Sequence, residues 1–311
     1  MLSRVRIARG RFPPSRFFSS SSTKYDDFTA LAVARPMKHV VQVELNRPDK
    51  ANAMNEAFFT DVGRCFSRIA GDKECRAVVL SGAGKNFTAG LDLQEFASVL
   101  GLAPPGSGGP GGAERPDVAR KAFSNMALVE RLQNCFSALH RCPKPVIAAI
   151  HAACVGGGVD LICGADVRFC SADAWFSVKE VDIGIAADLG TLQRLPRIVG
   201  SDSLVRELVY SARKLPAAEA KDCGLVSRVL EDRASLLEAA LALAGEVAAK
   251  SPVAVQGSKI NLNYAQDHGP GDALEYQVTP PALLALRCFK VLRVRLLPLL
   301  YVRLFAVHDW Q

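Results

Sequence analysis

Three acidic residues with few charged neighbours are the first candidates for chemistry. Asp160 begins an apolar helical pattern, Glu180 follows an apolar run, and Asp188 is the only charge between positions 183 and 190. Burial of a carboxyl group raises its pKa toward neutrality, where the group can both accept and donate a proton. Each residue alone is more simply interpreted as a helix cap or an ion-pair partner. Their clustering beside glycine-rich segments favours proton transfer.

Those glycine-rich segments are Lys85-Asn-Phe-Thr-Ala-Gly-Leu-Asp-Leu93 and Cys154-Val-Gly-Gly-Gly-Val-Asp160. Glycine allows a backbone to approach a ligand closely, and an N–H group at a helix start lies at the positive end of the helix dipole. The amide of Gly157, with a second amide from the turn at positions 89–91, is therefore predicted to stabilise an oxyanion. Either segment alone fits a purely structural packing role equally well.

The glycines just before the first of these segments do not form a complete cofactor-binding motif. After Gly82 and Gly84, the third glycine of a dinucleotide fingerprint is replaced by Phe87, and Gly84-Lys85 is followed by Asn86 rather than Ser or Thr. The five histidines show no ligand spacing. The sequence predicts no nucleotide cofactor and no metal site.

Strands and helices able to position these residues can be predicted from the apolar pattern. His39–Leu45 alternates as a half-buried strand does, with Val41, Val43 and Leu45 on one face. Asn55 is a good N-cap for a helix whose apolar side is listed here: Phe58, Phe59, Val62, Phe66 and Ile69.

Two short apolar runs, Ala77–Leu80 and Val146–Ile150, fit strands that are covered on both faces. Each is followed by glycine and a helical pattern, and Pro252 marks a later helix start. Repeated strand and helix units indicate an α/β fold.

Composition and charge exclude several classes of protein. The 311 residues are 49% hydrophobic and 22% charged, as in a globular protein. The net charge of +7 comes from the two ends, and without positions 1–24 and 278–311 the chain has 27 basic and 30 acidic residues. We therefore expect no nucleic-acid partner. Nine cysteines without a C-x-x-C pair indicate reduced thiols rather than disulfides or zinc ligands.

The ends of the chain and one internal stretch differ from the rest. Positions 1–24 are rich in Arg and Ser and contain no acidic residue, which is typical of a mitochondrial transit peptide; the alternative is a basic tail. Positions 103–113 are rich in Gly and Pro and are predicted to form a surface loop. The sequence contains no run of about 18 uncharged apolar residues, so it predicts no transmembrane segment.

Taken together, four motifs resemble the crotonase (enoyl-CoA hydratase/isomerase) superfamily from about Lys38 to Tyr276. They are K-N-F-T-A-G-L-D-L, H-A-A-C-V-G-G-G-V-D, D-V-R-F-C and G-T-L-Q-R-L-P. The resemblance implies an α/β spiral of ββα units with a helical C-terminal part: a domain at 36–277, divided into a core at 36–212 and a helical part at 213–277. It also implies a fatty acyl-CoA substrate, a role in β-oxidation and assembly into homotrimers or hexamers.

The resemblance assigns roles to individual residues. The oxyanion donors fall on the backbone N–H groups of Leu91 and Gly157. The segment that binds the CoA thioester consists of Ala89, Gly90, Leu91, Asp92 and Leu93.

Within the superfamily, the run V-K-E-V-D-I-G-I-A-A-D-L-G-T-L-Q-R-L-P resembles the mitochondrial dienoyl-CoA isomerases, which share Asp160 and the additional Asp188. That implies a shift of 3,5-dienoyl-CoA to 2,4-dienoyl-CoA. Glu180 would take the C2 proton and Asp188 would deliver a proton to C6, while Asp160 tunes the pocket by hydrogen bonding.

Two other functions stay open. A 2-enoyl-CoA hydratase or monoene isomerase would need only Asp160 and Glu180. After Tyr276 the chain departs from the family, and positions 278–311 form a divergent tail containing prolines and basic residues. The tail resembles an alternative exon or a membrane-surface segment, and it motivates the third hypothesis of a poorly active, binding or misassembled variant. With no Ser-Lys-Leu type C-terminus, we expect the mitochondrial matrix rather than the peroxisome.

Overall fold

The computed structural model describes residues 25–97 and 117–278. Three features predicted from the sequence lie outside these residues: the transit peptide at 1–24, the Gly/Pro-rich loop at 103–113, and the divergent tail from position 279 onward.

The described residues form an α/β structure. The strands are β1 (Leu31–Met37), β2 (Val40–Leu45), β3 (Ala77–Gly82), β4 (Val146–Ile150), β5 (Ala153–Val155), β6 (Val167–Ser171), β7 (Trp175–Ser177), β8 (Leu215–Pro216) and β9 (Arg228–Leu230). The helices are α1 (Glu56–Gly71), α2 (Val118–Arg141), α3 (Gly157–Cys163), α4 (Thr191–Val199), α5 (Asp202–Ser211), α6 (Ala217–Asp222), α7 (Arg233–Ala248), α8 (Pro252–Ala265) and α9 (Pro270–Gln277). Short 3₁₀ helices span Pro48–Lys50 and Glu180–Ile183.

Most elements predicted from the apolar pattern are present. Strand β4 has the predicted bounds, and α8 begins at Pro252. The side chain of Asn55 caps α1 by accepting a hydrogen bond from the Phe58 N–H at 3.0 Å. Strand β1 was not predicted, because four of its seven residues are exposed and no apolar alternation marks it.

A six-stranded sheet in the order β1-β2-β3-β4-β6-β9 forms the centre of the molecule. Only the β1–β2 pair is antiparallel. The two faces of the sheet contribute to two separate apolar clusters, because alternate residues of a strand point to opposite sides. Helix α7 covers one face, and Ala240, Ala244 and Ala248 line its contact surface at intervals of four residues. These small side chains allow the helix to lie close to the strands.

A second, smaller layer of strands accounts for the spiral of ββα units. It contains β5, β7 and β8, and it is extended by bridges between Thr88 and Cys154 and between Met54 and Leu91. Along the chain, β3, β4 and β6 are each followed by a short segment that joins this second layer. Each turn thus adds one strand to each layer, which confirms the predicted spiral of ββα units. The proposed boundary at position 212 stays a prediction.

In the part of the chain that the structure describes, no helix is both long and apolar enough to cross a bilayer.

Asn52 connects two turns that lead toward the second layer. It is buried and has a positive φ of 54°. Its Oδ1 accepts the Arg47 N–H at 2.8 Å. Its Nδ2 lies 2.8–3.1 Å from three carbonyl oxygens, those of Ala83, Asn86 and Phe87. One side chain therefore satisfies several backbone groups of the segment that precedes the second layer.

We predict that Asn52→Gly lowers the free energy of unfolding by about 1–3 kcal/mol, because buried backbone groups lose their partners. Glycine tolerates the positive φ, so the loss isolates the hydrogen bonds. The control is Ala51→Gly, since Ala51 also has a positive φ of 49°. Denaturant unfolding should show no comparable loss for the control, and equal effects of the two substitutions would contradict the prediction.

Candidate active site

The segment at 87–92 is held between two neighbouring backbone segments. The Thr88 N–H donates to the Ala153 carbonyl at 3.0 Å, and the Val155 N–H donates to the Thr88 carbonyl at 3.2 Å. On the other side, the N–H of Met54 donates to the Gly90 carbonyl at 2.8 Å, and the Asp92 N–H donates to the Met54 carbonyl at 3.0 Å. This pairing turns the N–H of Leu91 away from Met54, and no acceptor for it is found among the described residues.

The second amide predicted for an oxyanion site belongs to Gly157, the first residue of α3. Its N–H lies in the first turn, where no carbonyl of the same helix can accept it. No other acceptor occurs in the described ranges. The positive end of the helix dipole adds to its attraction for a negatively charged oxygen.

Close contact between the two segments depends on glycine. Gly90 has a φ of 89°, and a Cβ there would lie 2.8 Å from the Val155 carbonyl oxygen. Gly158 packs directly against the methyl group of Thr88. Both contacts leave no room for a side chain, so they explain why these positions are glycine. Leu91 and Gly157 consequently line one cavity.

The same cavity contains two of the three predicted carboxylates, Glu180 and Asp188. Apolar side chains form much of the remaining wall: Met54, Phe59, Ile183, Ile185 and Leu189. The structure therefore brings together Leu91, Gly157, Glu180 and Asp188, while Asp160 does not line the cavity.

Glu180 lies beside the start of α3. Its Oε1 is 3.2 Å from the position that a Cβ on Gly156 would occupy. Its Oε2 is buried and has no hydrogen-bond partner among the described residues. Burial, followed by the nearby Asp160 carboxylate, raises the pKa of Glu180 to about 7. A carboxylate of this kind is suited to accept a proton near neutral pH.

Asp188 is less buried than its apolar sequence context predicts. The residue as a whole is exposed, yet its side chain lines the cavity and partial burial raises its pKa. Its backbone carbonyl accepts a hydrogen bond from the Gln133 side chain at 2.6 Å. The residue thus lies at the rim of the cavity, where it can exchange protons with water.

Asp160 is buried behind the cavity, with 1% of its surface exposed. Its Oδ1 accepts the Thr191 N–H at 2.6 Å, at the start of α4. Burial raises the pKa of Asp160 to about 6, although the hydrogen bond from the Thr191 N–H acts in the opposite direction. Asp160 therefore holds the segment that follows Asp188.

Most of the predicted CoA-binding segment lines the cavity, and the remaining residue has a supporting contact elsewhere. Ala89, Gly90, Leu91 and Leu93 line the cavity. Asp92 instead pairs with Arg47 at 3.1 Å. Because Arg47 also donates to the Ala53 carbonyl, this pair fixes the backbone on either side of Met54.

The sequence did not predict the apolar wall of the cavity. Phe59 was predicted as a core residue of α1, and Met54 carried no signal apart from its position before the Asn55 cap. Ile183, Ile185 and Leu189 lie around Asp188, but an apolar run alone does not reveal which cavity it faces.

We predict that Gly158→Ala destabilises the protein by about 1–3 kcal/mol, because the added methyl group overlaps the Thr88 side chain. The double variant Gly158→Ala/Thr88→Ser removes that methyl group but keeps the hydroxyl, which bonds to Asn52 and Gly90. It should recover at least half of the lost unfolding free energy.

The matched control is Gly257→Ala in α8, where a Cβ would meet nothing within 4 Å. Denaturant unfolding of this variant should show no loss of stability, since alanine favours a helix. A Gly158→Ala protein as stable as the wild type would contradict the tight contact.

Comparison with protein families agrees with this geometry. The sequence pattern described as "Enoyl-CoA hydratase/isomerase" matches residues 36–101 and 112–277. A solved structure of an enoyl-CoA hydratase from Bacillus anthracis superposes with a TM-score of 0.72 at 27% identity, covering 88% of this chain and 96% of that one.

Two similar proteins are named as Delta(3,5)-Delta(2,4)-dienoyl-CoA isomerases. The mitochondrial protein of Rattus norvegicus is 53% identical over 253 residues, which is 81% of this chain and 74% of the relative. The peroxisomal protein of Arabidopsis thaliana is 40% identical over 240 residues, which is 77% of this chain and 83% of the relative.

Proposed function

The chain belongs to the enoyl-CoA hydratase/isomerase family, and we propose that it is an isomerase that converts 3,5-dienoyl-CoA into 2,4-dienoyl-CoA. The observation that carries this proposal is that Glu180 and Asp188 line the same cavity as the amides of Leu91 and Gly157. The names of the rat and Arabidopsis relatives support the same reaction.

The reaction moves a proton from C2 to C6 across a conjugated system. We propose that ionised Glu180 removes the C2 proton, while the N–H groups of Leu91 and Gly157 stabilise the thioester oxygen as a dienolate. Protonated Asp188 then delivers a proton to C6. The two carboxyl groups exchange these roles in the reverse direction. Electrons are only redistributed within the substrate, so we propose that no cofactor takes part.

Asp160 has a supporting role in this proposal. It does not line the cavity, and its hydrogen bond to the Thr191 N–H fixes the chain three residues after Asp188. Its negative charge also raises the pKa of Glu180 toward neutrality. Asp160 thus affects the basicity of Glu180 without contacting the substrate.

The alternatives are less well supported. A hydratase or monoene isomerase gives no role to Asp188, although that carboxylate lines the cavity. A poorly active binding variant was motivated by the divergent tail, yet the similarity to the rat isomerase extends over 81% of the chain. Hydration would yield a hydroxyacyl-CoA, whereas diene migration yields a conjugated product that absorbs ultraviolet light, so one assay separates them.

We also propose that the protein acts in mitochondria in the oxidation of unsaturated fatty acids and assembles as a homotrimer or hexamer. The basic N-terminal segment and the mitochondrial rat relative support the location, while the Arabidopsis relative is peroxisomal. Fractionation of cells and size-exclusion chromatography of the purified chain test these two points.

We predict that Asp188→Asn lowers the rate of 2,4-dienoyl-CoA formation by about 10²–10⁴-fold, because an amide cannot deliver the C6 proton. Ultraviolet absorbance measures product formation. In D₂O, deuterium incorporation at C2 of the recovered substrate measures proton removal, a step that needs only Glu180. The exchange should persist in Asp188→Asn.

The control for this substitution is Asp222→Asn, since Asp222 is an exposed carboxylate of α6 away from the cavity. It should retain the wild-type rate. Unchanged product formation by Asp188→Asn would contradict the proposed transfer to C6.

We predict that the C2 exchange decreases as the pH falls through about 7, because the base form of Glu180 is then lost. Whenever the Asp188 carboxyl group is ionised rather than protonated, its charge raises the pKa of Glu180. In Asp188→Asn the midpoint of the exchange profile should therefore move to lower pH. Glu180→Gln should abolish the exchange, and a midpoint that moves to higher pH would refute the proposed coupling.

A further inference from the structure

The segment that carries Asp188 is a thin wall between two cavities. Asp188 and Leu189 line the active-site cavity, while Leu189 and Gly190 line a second, polar cavity. Gln133, Ser137 and Arg194 complete that side of the polar cavity. Ala187 and Leu189 are buried in the apolar core, whereas Asp188 between them is exposed, so the orientation of Asp188 depends on specific contacts.

Helix α2 supplies contacts from the polar side. The Gln133 Nε2 donates to the Asp188 carbonyl at 2.6 Å. One turn later, the Ser137 hydroxyl accepts a hydrogen bond from Arg194 Nη2 at 3.3 Å. The Arg194 guanidinium in turn lies against the Cα of Gly190, where a Cβ would overlap it. Residues 133 and 137 share one face of the helix, so α2 contacts the wall directly at Asp188 and indirectly, through Arg194, at Gly190.

Asp160 also holds the end of this segment, by accepting a hydrogen bond from the Thr191 N–H. This contact and the Arg194 contact act on residues after Asp188. Among the described residues, Gln133 makes the one side-chain hydrogen bond to the backbone of Asp188 itself. Gln133 does not line the active-site cavity, so it does not contact the substrate there.

We propose that Gln133 is a positioning residue that sets the orientation of Asp188 toward C6, an inference that rests on the proposed dienoyl isomerisation. Glu180 belongs to a separate 3₁₀ helix, Glu180–Ile183, and no described hydrogen bond joins it to Gln133. Gln133 therefore affects proton delivery to C6 but leaves proton removal at C2 unchanged.

Gln133→Met keeps the length of the side chain and removes the donor. In D₂O, we expect formation of 2,4-dienoyl-CoA to fall by about 10–100-fold, as small misplacements of catalytic groups do. Deuterium incorporation at C2 of recovered 3,5-dienoyl-CoA and the KM should not change. The ratio of C2 exchange to product formation therefore rises, whereas general damage to the site would lower both rates together.

Gln133→Glu is a second variant of nearly the same shape, and its ionised carboxylate cannot donate to the Asp188 carbonyl. It should show the same rise in the ratio above pH 7. The matched control is Gln193→Met on α4, because Gln193 is exposed and its side chain makes no hydrogen bond to the described residues. It should keep the wild-type ratio.

An unchanged ratio in both Gln133 variants, or a parallel loss of exchange and product, would overturn the positioning role. Failure of the wild-type chain to form 2,4-dienoyl-CoA would instead refute the proposed function. The two failures are therefore distinguishable.

Discussion

The close approach of two backbone segments is the constraint on which the site depends. The segment around Gly90 lies against Val155, and Gly158 lies against Thr88, without space for a Cβ at either glycine. This contact places the amides of Leu91 and Gly157 in one cavity with no competing acceptor among the described residues. Two such donors favour an oxygen that becomes negative over one that is neutral, as catalysis requires.

The three carboxylates differ because their surroundings differ. Asp160 is buried and hydrogen bonded, Glu180 is half-buried with one unpartnered oxygen, and Asp188 lies at the rim. Burial is the first cause of the raised pKa in each case. The charges of Asp160 and Asp188 further raise the pKa of Glu180, so protonation of these groups is coupled.

Different parts of the fold carry the stabilisation of an enolate and the group that selects the reaction. The spiral positions the oxyanion donors, and these parts would serve any reaction that passes through an enolate. In the proposed mechanism the identity of the reaction depends on Asp188, and the segment that carries this residue accepts a hydrogen bond from Gln133 of α2 and is followed by the Thr191 N–H that donates to Asp160. A change of function within such a fold therefore needs few substitutions, provided that the wall is held in place.

The sequence by itself determined the class of fold, the strands β2 and β4, the start of α1 at the Asn55 cap, and the candidate groups for proton transfer. These features depend on local pattern, since apolar alternation, capping and glycine content act over a few residues. The edge strand β1 was missed because most of its residues face water.

Only the tertiary structure decided which groups share a cavity. It placed Glu180 and Asp188 beside the two amides and moved Asp160 behind them. The support of Asp188 by Gln133, 55 residues earlier in the chain, has no local signal. The physical reason is that burial and contact depend on which distant segments pack together. Asp, Glu and Gln are mostly exposed in folded proteins, so the residue type alone does not show which of them lies beside a cavity.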